Sequence, residues 1–163
     1  MIIKDSKKIV DIQREFNDKF PYLKIEFYTK EHAAGDGSKD KEKIDPEVLV
    51  SEVRSIHTSG DLSINGHLKV SSLENSFAKD YGLNAQVFRK SGGLWLQTTS
   101  TDDWTLTEQN DHAKDYEQMR TEYIIGYKEI NSFFLFFVLF FMLAGSCSNS
   151  YPLFLRGHCV ALN

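Results

Sequence analysis

The sequence predicts a small α/β domain, a mixed sheet with helices in the order α-β-α-β-α-β-β-α, followed by a hydrophobic C-terminal segment. Apolar residues recur at helical spacing in some stretches and alternate with polar ones in others. They then merge into one unbroken run, FFLFFVLFFMLA, from Phe133 to Ala144, which carries six of the chain's 12 Phe. Residues 131–163 hold a single charged side chain, Arg156. The chain therefore divides into a soluble acidic domain, 1–130, and a hydrophobic tail, 131–163.

Asp5 or Ser6 is placed to cap a first helix, with Ile9, Ile12 and Phe16 on one face. Pro21 ends it. Leu23, Ile25 and Phe27 alternate with Lys24, Glu26 and Tyr28, a strand with one buried face. Residues 30–43 are polar and aperiodic and predict a loop. Asp45-Pro46 predicts a second helix burying Val48, Leu49, Val53 and Ile56. After a turn at Ser59-Gly60-Asp61 comes a short strand over 62–65. Ser71 and Glu74 read as a capping box for a helix bearing Leu73, Phe77 and Tyr81, with Gly82 as C-cap. Strands over 84–89 and 94–99 flank a tight turn at Ser91-Gly92-Gly93. Thr105 and Glu108 form a second capping box, opening a helix to about Tyr123 with Leu106, Ala113, Tyr116 and Tyr123 inward. No internal repeat is discernible.

Charge and cysteine usage exclude several functions. The net charge is -4, and all 23 acidic residues and 18 of the 19 Lys/Arg precede the tail. Such a mixed acidic surface lacks the clustered cations that nucleic acid needs. Lys39, Lys41 and Lys43 alternate with Asp40, Glu42 and Asp45. Both cysteines, Cys147 and Cys159, lie in the tail, so thiol catalysis and a Cys-based zinc site are excluded from the domain. No cofactor is implied. The first residues carry Lys4, Lys7 and Lys8 without an apolar run, which predicts no N-terminal signal peptide and a cytoplasmic domain.

After the first helix the order β-α-β-α-β-β-α resembles the thioredoxin fold. Tyr81-Gly82-Leu83 through Val87-Phe88-Arg89-Lys90-Ser91-Gly92-Gly93 looks like its central strand and hairpin. The resemblance is topological and covers roughly residues 23–119. The Cys-x-x-Cys motif is missing from 30–45, and Leu83, Asn84 and Ala85 stand where that family places a Pro. The resemblance thus implies a non-catalytic version. The stretch QVFRKSGGLWLQTTSTDDWTLTEQN also resembles a block in small uncharacterised bacterial proteins, which implies no activity.

Asp36, Ser38, Asp40 and Glu47 match four ligand positions of an EF-hand loop, but Lys41 replaces its obligatory Gly, so a solvated charged loop is the better reading. Asp102, Asp103 and Glu108, with Asp111 and His112, form the densest acidic group and the basis of a hydrolase-like alternative. Helix capping and the helix dipole explain the same placement. His32, His57, His67 and His112 show no ligand spacing, and Ser59, Ser91 and Ser146 lack a nucleophile-elbow context. Trp95, Arg89 and Trp104 at the hairpin are the candidate anchors for an unknown protein partner.

Three fates fit the tail. One is a membrane segment over 132–147, whose stretch from Ser132 to Ser146 rises about 22 Å against about 30 Å of hydrocarbon. Lys114, Arg120 and Lys128 before it, against Arg156 after it, place the domain on the cytoplasmic side. Second, Lys128, the Phe-rich run and Leu143-Ala144-Gly145-Ser146-Cys147 resemble a lipoprotein signal peptide, with Cys147 at the lipidation position. Its place far from the N-terminus points to an altered or read-through tail on a soluble protein. The third is a buried helix. The favoured expectation is a non-catalytic α/β binding module, membrane-associated through Phe133 to Ala144.

Overall fold

The computed structural model describes residues 1–30 and 42–143. The candidate cation ligands Asp36, Ser38 and Asp40 lie outside those residues, as do His32 and Cys147. The molecule is mixed α/β, with helices and two small antiparallel sheets. In chain order the elements are β1 (Ile2–Ile3), α1 (Ile9–Lys19), β2 (Leu23–Tyr28), α2 (Val50–Val53), β3 (Gly60–Asp61), α3 (Val70–Tyr81), β4 (Asn84–Ser91), β5 (Leu94–Gln97) and α4 (Leu106–Leu143). The chain forms two compact units, Met1–Glu122 and Tyr123–Asn163.

The core belongs to the first unit. Ile9, Ile12 and Phe16 of α1 and Val70, Leu73 and Phe77 of α3 are fully buried against Leu23, Ile25, Phe27, Ala85 and Val87 of the sheet. Phe27 and Phe77 meet edge to face at 5.2 Å, a geometry that aromatic quadrupoles favour. Gly82 ends α3 in the left-handed conformation, φ 64°, where its N–H and that of Leu83 close on Ala78 and Phe77. A Cβ at Gly82 would meet the Ile56 backbone nitrogen at 2.7 Å, so the close approach also requires glycine.

The sheet expected to be mixed is instead a three-stranded one, order β2-β4-β5, antiparallel throughout, beside a two-stranded sheet of β1 and β3. Strand β1 has no counterpart in the expected order. It pairs Ile2 with Asp61 and Ile3 with Gly60, which moves the third strand upstream of 62–65.

The structure contains a repeat that the sequence hides. Each of the four helices is entered through the same turn, closed by Lys7 N–H to Lys4 O, Val48 to Asp45, Leu68 to Asn65 and Trp104 to Thr101, at 3.0–3.3 Å. The turns then pair. Ile9 and Val50 donate to the carbonyls of Val48 and Lys7, while Val70 and Leu106 donate to those of Trp104 and Leu68. One step on, Val10 and Ser51 donate to Pro46 and Asp5, and Ser71 and Thr107 to Asp102 and Gly66. The N-terminal N–H groups that helices normally offer to side-chain caps are thus satisfied by a neighbouring backbone. Ile3, Ile9, Ile12 and Phe16 of one half correspond to Ile64, Val70, Leu73 and Phe77 of the other, all buried.

Several sequence readings are corrected: the first helix is capped at Lys8 rather than at Asp5 or Ser6, and Tyr116 and Tyr123 are exposed rather than inward. Asp45-Pro46 opens a turn, and α2 is a single short turn from Val50, with Ile56 beyond it. Ser71 lies inside α3, whose N-cap Lys69 makes no side-chain cap bond. The last helix continues past Tyr123 to Leu143.

Candidate functional site

The β4–β5 hairpin turns through Gly92 (φ 60°) and Gly93 (φ 90°), a left-handed pair that matches the twist of the flanking strands. Its tip is fixed to α4, where Glu117 Oε1 accepts the Gly92 N–H at 2.6 Å. Register decides which side chains share a face. Leu23, Ile25, Phe27, Ala85, Val87, Arg89 and Leu96 lie on the core side, and Lys24, Glu26, Gln86, Phe88, Lys90 and Trp95 on the other.

The three expected anchors are therefore split. On the core side, Arg89 donates to Gln109 Oε1 at 2.8 Å and its guanidinium lies 5.6 Å from the Trp104 ring. Trp104 in turn contacts the His112 ring at 5.5 Å. Buried Gln109 donates to Thr101 O and Oγ1 at 2.8 and 2.7 Å. Burial lowers the Arg89 pKa, though a guanidinium stays charged at neutral pH. Arg89 and Trp104 brace the start of α4 against β4. Trp95 stands apart from them on the opposite face, directly across from Lys90 and 36% exposed, with the Lys24 ammonium 5.3 Å from its ring. Its strand neighbours Leu94 and Leu96 are 68% and 44% exposed.

Of the acidic group expected at the start of α4, Glu108 is engaged in building the helix terminus. Glu108 Oε2 accepts from Thr105 N and Oγ1 at 2.7 and 2.9 Å, while Thr105 Oγ1 accepts the Glu108 N–H at 3.2 Å. This is the expected capping box, and those bonds hold the Glu108 carboxyl below the usual range. The Asp102 carbonyl accepts from Ser71.

Sequence reasoning placed Glu74 in a capping box with Ser71, whereas the structure buries it against β4. Burial, the largest cause, pushes its pKa up to about 8; the Val87 N–H opposes this and the Asp102 charge adds to it. Its Oε1 accepts from Val87 N at 2.8 Å and from Gln86 Nε2 at 3.0 Å, capping β4 where β5 has ended. The available signal was positional. Val70, Leu73, Glu74, Phe77 and Tyr81 form one helical stripe, so Glu74 occupies a core position.

A second polar cluster ties the first turn to α2. Asp5 Oδ1 accepts from Arg54 Nε at 2.7 Å and lies 3.1 Å from His57 Nδ1, while Arg54 Nη1 donates to Thr58 O at 3.0 Å. The Arg54 side chain is completely buried. Along α1 a shallow cleft of about 480 Å³ is lined by Lys4, Lys7, Asp11, Arg14, Glu15 and Asp18, signs that largely cancel. Among the described residues no group of three His, Cys, Asp or Glu could hold a metal ion, and no helix is long and apolar enough to cross a membrane.

No protein-family model, curated protein or solved structure matches this chain. An aromatic ring braced by a cation, on a strand whose neighbouring leucines face solvent, is the kind of surface through which proteins bind one another.

Proposed function

We propose that this chain is a small partner-binding α/β module, non-catalytic, whose contact surface is β5 with Trp95 and whose C-terminal segment associates with a membrane. The exposure of Leu94, Trp95 and Leu96 on consecutive positions of one strand carries the reading. Apolar side chains held in water at a rigid hairpin contribute little to the fold and most when a partner covers them. In this reading Asp102, Asp103 and Glu108 serve the α4 start rather than a hydrolytic reaction. The domain is assigned to the cytoplasmic side, with cations before the Phe-rich run and Arg156 after it.

The membrane half rests on polarity. Since α4 continues to Leu143, the apolar run from Phe133 is the end of a longer helix that, over the described residues, is still not long and apolar enough to cross a membrane, so the reading is association with its surface. Tyr123, Tyr127 and Ile130 are exposed along one side of the helix and Ile125 on another. Lys128 and Glu129 fall near the beginning of the apolar run, where long side chains reach the interface.

Photo-crosslinking in cells tests the contact surface. A photoreactive residue at Leu94 should give discrete adducts, and one at the exposed Asn75 of α3 should not. Equal labelling from both positions, or none from either, would sink the binding reading. Flotation of the full chain with phosphatidylglycerol vesicles tests the tail; a protein that stays monodisperse at the bottom of the gradient refutes the membrane half.

A further inference from the structure

We infer that β5 takes an extended, carboxylate-bearing peptide segment as an added strand, a proposal that rests on the binding reading above and names its partner's chemistry. The sheet order leaves β5 at an edge among the described residues. A two-residue turn closes on a hydrogen-bonded pair, here Ser91 with Leu94. Alternation then directs the N–H and C=O of Trp95 away from β4, toward an incoming strand. Edge strands with apolar side chains and outward backbone groups are templates for pairing.

Charge selects the occupant. Lys24, Lys43 and Lys90 gather on the Trp95 side of the sheet, together with the Glu26 carboxylate. Lys24 and Lys43 are both bonded to Glu26, at 3.0 and 2.8 Å, and Lys90 has no ion-pair partner among the described residues. The surplus is cationic within a chain of net charge -4. A second copy paired β5 to β5 would bring Lys24 and Lys90 toward their own equivalents, so the charge distribution disfavours self-pairing. The pleat sets the pattern of the incoming segment. Its residues alternate between a side that meets Leu94 and Leu96 and a side that meets Trp95, Lys24 and Lys90. An alternation of apolar and acidic residues satisfies both.

The probe is a blocked octapeptide of alternating Val and Glu, added to the full chain while the Trp95 indole N–H is followed by NMR. The Trp104 indole, braced on the other face, reports whether the fold is intact. The Val/Glu peptide should shift Trp95 saturably, with its Val/Lys counterpart and an N-methylated Val/Glu peptide each at least tenfold weaker. Lys90→Glu should reverse the preference between the Glu and Lys peptides. Equal binding of the Lys or the N-methylated peptide would overturn the inference, as would no shift at millimolar peptide. A Trp95 shift that follows protein concentration alone would mean a second copy fills the edge, and would overturn it too. Discrete adducts from Leu94 with no response to the Val/Glu peptide would leave the binding reading standing and remove this inference alone.

Discussion

Glu26 and Gln86 stand directly opposite one another on β2 and β4, and each is bonded to its complement on the helix of its own half. Gln13 Nε2 on α1 donates to Glu26 Oε2 at 2.7 Å; Gln86 Nε2 donates to Glu74 Oε1 of α3 at 3.0 Å. The same amide–carboxylate pair thus occurs in both halves, with the helix and strand positions exchanged. The two carboxylates differ in their remaining partners. Lys24 and Lys43 neutralise Glu26, whereas Glu74 has a backbone N–H and the charge of Asp102 nearby. Burial is the main reason that Glu74 holds its proton to about pH 8, with the Asp102 charge adding to it and the Val87 N–H opposing it.

A pH dependence of stability follows from Glu74. Its folded pKa lies near 8 against an ordinary 4.5, so the folded state binds the extra proton between those values. Stability from this group is complete below about pH 4.5 and is lost as pH rises through 8. The loss should reach a few kcal/mol, since a tenfold difference in proton affinity between the folded and unfolded chain corresponds to about 1.4 kcal/mol. Urea midpoints at pH 5.5 and 8.5 should separate clearly in the wild type, and the gap should shrink in Glu74→Gln. Parallel pH profiles for the two proteins would show that Glu74 is not the group responsible.

Asp5 acts with the opposite sign. Its hydrogen bond to His57 and its contact with Arg54 hold its carboxyl below the ordinary 3.8, against a smaller effect of burial. The stability it gives is present above that value and is lost as pH falls through the lowered folded value. Asp5→Asn should therefore lower the urea midpoint at pH 6, with the deficit closing toward pH 3. A deficit that persists unchanged at pH 3 would assign the effect to packing instead. Arg54→Leu serves as the companion variant, because it removes the buried cation that Asp5 neutralises.

The hairpin turn makes a prediction that separates conformation from contact. A Cβ at Gly92 would find only ordinary neighbours, Tyr116 and Arg120 at 3.7–3.8 Å, so any cost there arises from φ 60°. Asn tolerates that region, so Gly92→Asn should leave the thermal midpoint within about 2 °C. Gly92→Val should lower stability by about 1–2 kcal/mol, as a β-branched residue bears the left-handed cost in full. Equal losses in both variants would place the cost in the Glu117 contact rather than in the backbone.

What was legible in the sequence was local. The stripes of α1 and α3, the Gly92-Gly93 turn and the Thr105–Glu108 box each depend on residues within a few positions of one another, whereas β2, expected to bury one face, also buries Glu26 and Tyr28 of the other. The direction of strand pairing is not local, and an order of elements does not carry it, so the antiparallel sheet had to be observed. The β1–β3 pair joins two residues on each side and leaves no period to read. The repeat was hidden because its polar positions are exchanged: Gln13 and Glu26 answer to Glu74 and Gln86, and Lys7 to Leu68. What its halves share is a set of buried apolar positions and the backbone of four like turns that satisfy one another. The proposed contact surface was half legible. Trp95, Arg89 and Trp104 are neighbours in sequence, but only register showed that the pleat sends Trp95 to the other side.

The tail should be separable from the fold. Ala113 is the last buried residue among those described, and from Lys114 onward the α4 side chains whose exposure is known are exposed or half-exposed. A helix contributes stability chiefly through its buried face, so this stretch adds little to the folded state of the first unit. A chain ending at Ile130 should unfold cooperatively, with a urea midpoint within about 0.5 kcal/mol of the full chain when the slopes are equal. It should also fail to float with vesicles that carry the full chain. Loss of the cooperative transition would mean that residues beyond 130 are part of the core. Retained flotation would move the membrane-binding surface into the first unit, and the apolar end of α4 would then need a different occupant.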